Sequence, residues 1–257
     1  MKGIRKEIFC LLTIAGLSIC IGMSNGAGPI NERKQTVIMK EMQQKPETAE
    51  KENKVLEQEK EVIKPLNVPL ILQKPELMRG CEVTSLAMIL QFSGVQVEKL
   101  ELASKIKYVP FESNGRKGNM HKGFIGDIAT FNKPGLGVYI EPILELAKLY
   151  VPDEKVVDLS HKEPEHIYKM IDQGNPVWVI TNALFKQFPD NQFYTWKTDV
   201  GEMKVTYQQH SVVVTDYDEQ YVYINDPLKK YKHRAINRNN FEQSWIQMGR
   251  QAMTISI

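Results

Sequence analysis

Apolar positions fall into clear helical and strand periods only from Leu66 onward. Behind Gly80-Cys81, the residues Val83, Leu86, Ala87, Ile89, Leu90 and Phe92 recur at helical spacing, and Gly94 is placed to end that helix. A second helix is expected over Val97–Lys107, with Val97, Leu100, Ala103 and Ile106 on one side. Helices are also expected over Glu141–Val151 and Glu163–Gln173, the latter entered through Pro164 and closed by Gly174. The unbroken run of β-formers from Pro176 to Asn182 predicts a buried strand. Phe193–Lys197 and Met203–Tyr207 flank a turn around Asp199-Val200-Gly201, the pattern of a hairpin. Gln208–Tyr217 and Tyr221–Pro227 form two further strands across the tight turn Asp218-Glu219-Gln220.

Between these elements, Tyr108–Val138 follows neither period. It carries Gly115, Gly118, Gly123, Gly126, Gly135 and Gly137 with Pro110 and Pro134. A connection this long inside a domain is functional or mobile, so we read it as a loop or lid on the substrate side. Its glycines do not match a phosphate-binding fingerprint, because no strand precedes them in the required arrangement.

The N-terminal quarter differs in kind. Lys2, Arg5 and Lys6 precede an apolar run from Ile8 to Met23, and Ser24, Gly26 and Ala27 offer a cleavage site. Residues 1–27 therefore predict an export signal, with an uncleaved membrane anchor as the competing reading. Leu17-Ser18-Ile19-Cys20 carries a faint likeness to a lipoprotein acylation site, with isoleucine where a small residue is expected. Each reading puts the remainder outside the cytoplasm. Residues 28–64 are dense in Glu, Lys and Gln without aromatics, as in a charged spacer, helical or disordered, that Pro65 ends. Residues 65–257 then form the globular domain.

The 257 residues leave room for one sizeable domain plus these appendages, and a net charge of +2 with no long basic patch argues against nucleic acid as a partner. Cys10 and Cys20 fall within the export segment, which leaves Cys81 as the single cysteine of the mature chain. Such a thiol is an intermolecular bridge, an inert buried group or a reactive one. No Cys/His cluster has zinc spacing, and no metal or organic cofactor is implied.

Two stretches carry chemistry. Cys81 falls in the first turn of its helix, where unpaired N–H groups and the positive end of the dipole favour an anion and so a thiolate. Its plain alternative is a small buried cysteine at a helix start. Far along the chain, His210 begins one strand of a hairpin and Asp226 ends the other, so both fall near the same end of the sheet. A carboxylate there can fix the tautomer and orientation of an imidazole, the arrangement of nucleophile, base and orienting acid. His121 sits in the glycine-rich loop, where it is exposed or contacts a ligand; His161 and His166 lie on or beside a helix without an obvious partner and His233 lies in a basic run, and solvated roles suit these three.

A cysteine at a helix start followed by a strand histidine and an acidic residue on the next strand is the logic of papain-like cysteine peptidases. Val68-Pro69, Gln73, Pro75-Glu76-Leu77, Gly80-Cys81-Glu82 and Ser85-Leu86-Ala87-Met88 resemble the opening motif of family 39 of the cysteine peptidases, in its soluble exported branch. Gly123-Phe124-Ile125-Gly126-Asp127 and Gly137-Val138-Tyr139 resemble its middle motifs. His210-Ser211-Val212-Val213-Val214 and Asn225-Asp226-Pro227 resemble its histidine and aspartate motifs. The resemblance runs from about residue 66 to 250.

It implies an α+β, papain-like fold: an N-terminal helical part carries the cysteine, and an antiparallel sheet carries the histidine and aspartate. It also implies Cys81 as nucleophile, His210 as general base and Asp226 as its orienting group. Gln73 would be a side-chain donor to the oxyanion hole beside the Cys81 backbone N–H. The founding members of the family are leader peptidases joined to exporters, but no phosphate-loop motif occurs in this chain, so bacteriocin maturation by an exporter is not supported. Met78 stands where this branch often has proline. Glu82 would raise the thiol pKa if it points inward.

The reading is an exported bacterial cysteine peptidase or amidase-like hydrolase working through an acyl-enzyme. A peptide or protein is the expected partner, with cell-wall peptides among the candidates. Two alternatives stand beside it: a non-catalytic surface-binding module of the same fold, and an acyl transferase using the same residues. Substrate identity and oligomeric state are not readable from sequence.

Overall fold

The computed structural model describes residues 64–257. The export segment expected over residues 1–27 and the charged spacer expected up to Lys64 lie outside the described residues, save for Lys64 itself.

Helix α1 (Cys81–Phe92) is the central helix. Every side chain from Cys81 to Leu90 is buried, so the helix is enclosed all round rather than amphipathic. Its end conforms to the glycine expectation: Ser93 caps, and Gly94 takes φ +92° with its N–H on the Gln91 carbonyl. Helix α2 (Lys99–Lys105) is shorter than predicted. Glu98 before it and Ile106 after it are already extended, and Ile106 leads the chain directly into a strand.

The glycine-rich stretch is less irregular than its composition implies. It contains four two-residue strands, β1 (Tyr108–Val109), β2 (Glu112–Ser113), β3 (Arg116–Lys117) and β4 (Phe124–Ile125). β1 pairs with β4 in parallel, and β2 pairs with β3 antiparallel. Helix α3 spans Ile140–Ala147. The predicted continuation to Val151 becomes a tight turn, with Leu149 N–H on Leu146 O and Tyr150 N–H on Ala147 O, ahead of Pro152.

The rest builds the sheet. Its strands are β5 (Val156–Asp158), β6 (Val177–Asn182), β9 (Gln209–Tyr217), β10 (Tyr221–Asn225), β11 (Arg234–Asn237) and β12 (Ala252–Ile255). The predicted hairpin forms apart from it as β7 (Tyr194–Thr198) and β8 (Gly201–Val205). Helix α4 (Pro164–Asp172) lies between β5 and β6 in the chain, and α5 (Arg238–Gln247) follows β11. The sheet order is β11-β10-β9-β6-β12-β5, and each neighbouring pair is antiparallel.

Both faces of this sheet are covered, which is why β6 reads as an unbroken apolar run. Trp178, Ile180, Val213 and Met253 pack with α1 and α3 on one side; Val177, Val179, Val212, Val214, Val222 and Ile224 pack with α4 and α5 on the other. Period-two alternation assigns the residues of β6, and those of β9 up to Val214, to one of the two cores, before a register shift between β9 and β10. α1 lies against β6 and β9, and this contact brings the cysteine to the end of the sheet.

Candidate active site

Cys81 opens α1 behind Gly80, whose place is set by packing: a Cβ there would meet Leu77 Cβ at 2.6 Å. Ser85, one turn on, ties α1 to the histidine strand by donating its hydroxyl to the Ser211 carbonyl at 3.1 Å. On that strand His210 pairs across to Thr181 of β6 and is 3% exposed. Asp226 follows directly on Asn225, which lies opposite Val213, so alternation turns Asp226 and His210 to the same side of the hairpin.

The two side chains meet. His210 Nε2 and Asp226 Oδ1 are 2.8 Å apart. The same carboxylate oxygen accepts the Leu228 N–H at 2.9 Å, and Oδ2 accepts Arg234 Nη1 at 2.8 Å. Burial pushes the Asp226 carboxyl up, but the hydrogen bond and charge of His210, with the Leu228 and Arg234 bonds, outweigh it and hold the group below the usual carboxylate range. With Nε2 turned to Asp226, Nδ1 is the ring nitrogen left for the cysteine side.

Cys81, His210 and Gln73 line one cavity of about 340 Å³, together with Lys74, Arg79, Phe131, Leu136 and Tyr207. The structure therefore brings three of the four predicted residues to one wall, with Asp226 behind His210. Phe131 and Leu136 belong to the glycine-rich stretch, which supplies part of this wall. Arg79 braces that stretch, donating to the Asp127 and Thr130 carbonyls and lying 4.7 Å over the Phe131 ring. Gln73 is buried, and its Nε2 donates to the Leu77 and Met78 carbonyls at 3.2 and 3.1 Å. Its Oε1 has no hydrogen-bond partner among the described residues. The Cys81 backbone N–H, in the first turn, has no acceptor within the helix.

The thiol departs from expectation. Cys81 is 7% exposed, and its sulfur lies 3.2 Å from Glu82 Oε2 rather than on His210. Burial first, then the Glu82 charge, push the thiol well above its ordinary value, against the Ser211 backbone N–H, which acts in the opposite sense. Magnitudes explain the sign. A helix terminus contributes about 0.3–1 kcal/mol. A unit charge at 3.2 Å is worth about 5 kcal/mol at an effective dielectric of about 20. The inward carboxylate wins over the dipole.

Glu82 itself was legible only as a possible complication, and its network was not legible at all. Oε1 accepts Gln209 Nε2 at 2.9 Å and the Val138 N–H at 3.3 Å, and Gln209 also donates to Val138 O at 3.1 Å. The glutamate's backbone carbonyl accepts the Trp178 indole N–H at 3.0 Å. Gly137 makes this possible, since a Cβ there would sit 2.5 Å from Oε1. Arg234 was hidden in a basic run. Its one signal was position, on the strand after Asp226-Pro227.

The remaining histidines lie elsewhere. His121 pairs with Glu141 at 2.8 Å and packs edge-on against Tyr139. With His161 it lines a separate cavity of about 390 Å³ that contains none of the four predicted residues. His233 is not simply solvated, because its Nδ1 lies 3.0 Å from Thr215 Oγ1. Among the described residues no cluster of His, Cys, Asp and Glu is placed to hold a metal ion.

Comparison with known proteins agrees with this frame. The model of the Peptidase_C39 like family matches residues 65–253. The uncharacterized protein YvpB of Bacillus subtilis (strain 168) is 50% identical over 195 residues, which span 75% of this chain and 76% of that protein. The crystal structure of a C39-like protein from Bacillus anthracis is 47% identical and covers 76% of this chain and 98% of its own, with a TM-score of 0.73.

Proposed function

Since the chain belongs to the Peptidase_C39 like family, we propose that it is a cysteine peptidase acting on peptide or related amide bonds outside the cytoplasm. The observation that carries this reading is the buried His210–Asp226 bond of 2.8 Å on the wall of the cavity that Cys81 also lines. A histidine fixed through Nε2 by a carboxylate presents Nδ1 as a base.

Cys81 attacks the scissile carbonyl, and His210 is the acid–base group, protonating the leaving amine and then taking a proton from the attacking water. Asp226, pinned by Leu228 and Arg234, holds the ring in that tautomer. The Cys81 backbone N–H faces the developing oxyanion. Gln73 joins it once its amide turns from the Leu77 and Met78 carbonyls. Among the described residues, Lys74 and Arg79 are the cationic side chains lining the cavity, which favours peptides with acidic or uncharged flanks.

The test is a peptide library digested with the full chain, with Cys81→Ala and His210→Ala run in parallel and new N-termini read by mass spectrometry. Termini that depend on both residues support the reading; products carrying an added amine would reassign it to acyl transfer. One observation favours the competing binding module, namely the thiol held by Glu82 with its pKa raised. No cleavage, with Cys81 alkylation indifferent to His210, would decide for that module.

A further inference from the structure

We propose that Cys81 and Glu82 hold one proton between them, and that the nucleophile is competent when this proton sits on Glu82 Oε2 and is donated to the thiolate sulfur. The inference rests on Cys81 as the nucleophile, but it concerns the ionisation of the thiol and can fail independently of that reading.

The geometry assigns the proton. Sγ and Oε2 lie 3.2 Å apart, and the two residues are 7% and 1% exposed. A thiolate and a carboxylate that close, without water between them, do not both ionise, so the pair titrates as a unit. Oε1 is already occupied by two N–H donors, Gln209 Nε2 at 2.9 Å and Val138 N at 3.3 Å. A proton on Oε1 would oppose both. Oε2 is therefore the oxygen that takes it, and its partner there is the sulfur. The tautomers S–H with a carboxylate and S⁻ with a carboxyl O–H keep every one of these hydrogen bonds. Burial raises the Glu82 carboxyl and the Cys81 thiol alike, so the two groups compete for the one proton.

The cycle then balances. With the proton on Oε2 and a second on His210 Nδ1, the thiolate attacks the substrate carbonyl carbon; the S–C bond forms and the π pair moves to oxygen. His210 gives its proton to the amine as the C–N bond breaks. Water attacks the thioester and leaves a proton on Nδ1. The C–S bond breaks to return a thiolate, received by the Oε2–H donor and the Ser211 backbone N–H. Glu82 touches the reacting sulfur throughout and counts as a catalytic residue.

Among the described residues, these charged and titratable groups lie on or behind the cavity that Cys81 lines. β9 offers His210, with Asp226 behind it; the segment before α1 offers Lys74 and Arg79; Tyr207 comes from the segment after β8. β6 presents the Trp178 indole, and the 137–138 segment presents the Val138 backbone.

The experiment is iodoacetamide labelling of the full chain across pH, followed at the Cys81 peptide by mass spectrometry so that Cys10 and Cys20 do not interfere. Glu82→Gln can keep its oxygen at the Oε1 position and place its NH₂ toward sulfur, mimicking the protonated acid. Glu82→Met removes both charge and donor. The expected order of midpoints is parent, then Met, then Gln lowest, with Gln shifted down by about 1–3 pH units and labelling at neutral pH up about tenfold or more. A role in packing alone would not place Gln below Met. Equal midpoints in Gln and Met, or a Gln midpoint at the parent value, overturns the inference. In the unmodified protein, an infrared carboxyl band should titrate with the same midpoint as Cys81 labelling. A band that ionises in the ordinary carboxylate range instead also overturns it. His210→Ala separates the two claims, since the hydrolase reading fails if that variant changes neither labelling nor cleavage, whatever the Glu82 series shows.

Discussion

Gly137→Ala is the sharpest test of how the site is held. The added Cβ would sit 2.5 Å from Glu82 Oε1 and 2.8 Å from Gln209 Nε2. To reach an ordinary 3.4 Å contact, Oε1 must retreat by 3.4 − 2.5, or about 0.9 Å. Both obstructing atoms are side-chain ends, so the backbone need not move, and the cost falls on hydrogen bonds. The Val138 bond, already at 3.3 Å, is lost, and the Gln209 bond at 2.9 Å is lengthened. A bond to a charged group is worth about 1.5–3 kcal/mol, so losing one and weakening another costs about 2–4 kcal/mol. For a domain of this size that lowers Tm by about 4–16 °C. Calorimetry on the full chain reads the shift, and the Cys81 labelling profile reads whether Oε2 has moved from sulfur. Gly94→Ala is the control. Nothing lies within 4 Å of its Cβ, and its penalty comes from φ +92° alone, about 1 kcal/mol, with labelling unchanged. A Gly137→Ala protein that melts within about 2 °C of the parent and labels identically would refute the packing argument.

Asp226→Asn should cost about 2–3 kcal/mol, discounted for a partly solvated Arg234, and should abolish any dependence of Cys81 labelling on His210; urea midpoints and labelling check both. Trp178→Phe removes the buried indole bond to the Glu82 carbonyl and should lower stability by about 1–3 kcal/mol, seen as a shifted urea midpoint at constant slope. The two buried carboxyls should slope oppositely with pH. Asp226 is held below its ordinary value, so its contribution is full above about pH 4 and is lost as pH falls through its folded value; Glu82 is raised, so its contribution is full below about pH 4 and is lost as pH rises through its folded value. Stability curves for Asp226→Asn and Glu82→Gln, each subtracted from the parent, should show those opposite signs.

What could be read in advance follows from where each residue sits in a pattern. Cys81, His210 and Asp226 stand at the ends of strongly periodic elements, so the elements announce them. The Glu82 network joins residues 56 and 127 positions apart, through a backbone N–H and an amide that no period marks. Gly137 was visible as one glycine among six in a stretch without period, but its reason is a side chain from α1. The direction of the thiol shift was likewise a tertiary matter: helix position alone argues for lowering, and burial with Glu82 reverses it. β5, the last two strands and α5 were missed; β5 and β12 are strands of three and four residues placed by their sheet neighbours, β12 between β6 and β5.

The sheet's double burial is what makes the site reproducible. β9 places Val212 and Val214 in the core under α4 and α5 while Val213 faces α1, and β6 alternates in step beside it. A slip of one residue would turn His210 to the α1 side, offer Ser211 to Asp226, and exchange both cores at once. Neither core has room for that exchange: Trp178 is fully buried on one side with its indole bonded to the Glu82 carbonyl, and Trp245 is fully buried on the other. The same packing therefore sets three things together. It places the histidine against its aspartate, the cysteine against the Ser211 backbone, and Glu82 against the thiol. The geometry of the proposed site is a consequence of core alternation, and a change that loosens β9 should register in Cys81 labelling before it registers in global unfolding.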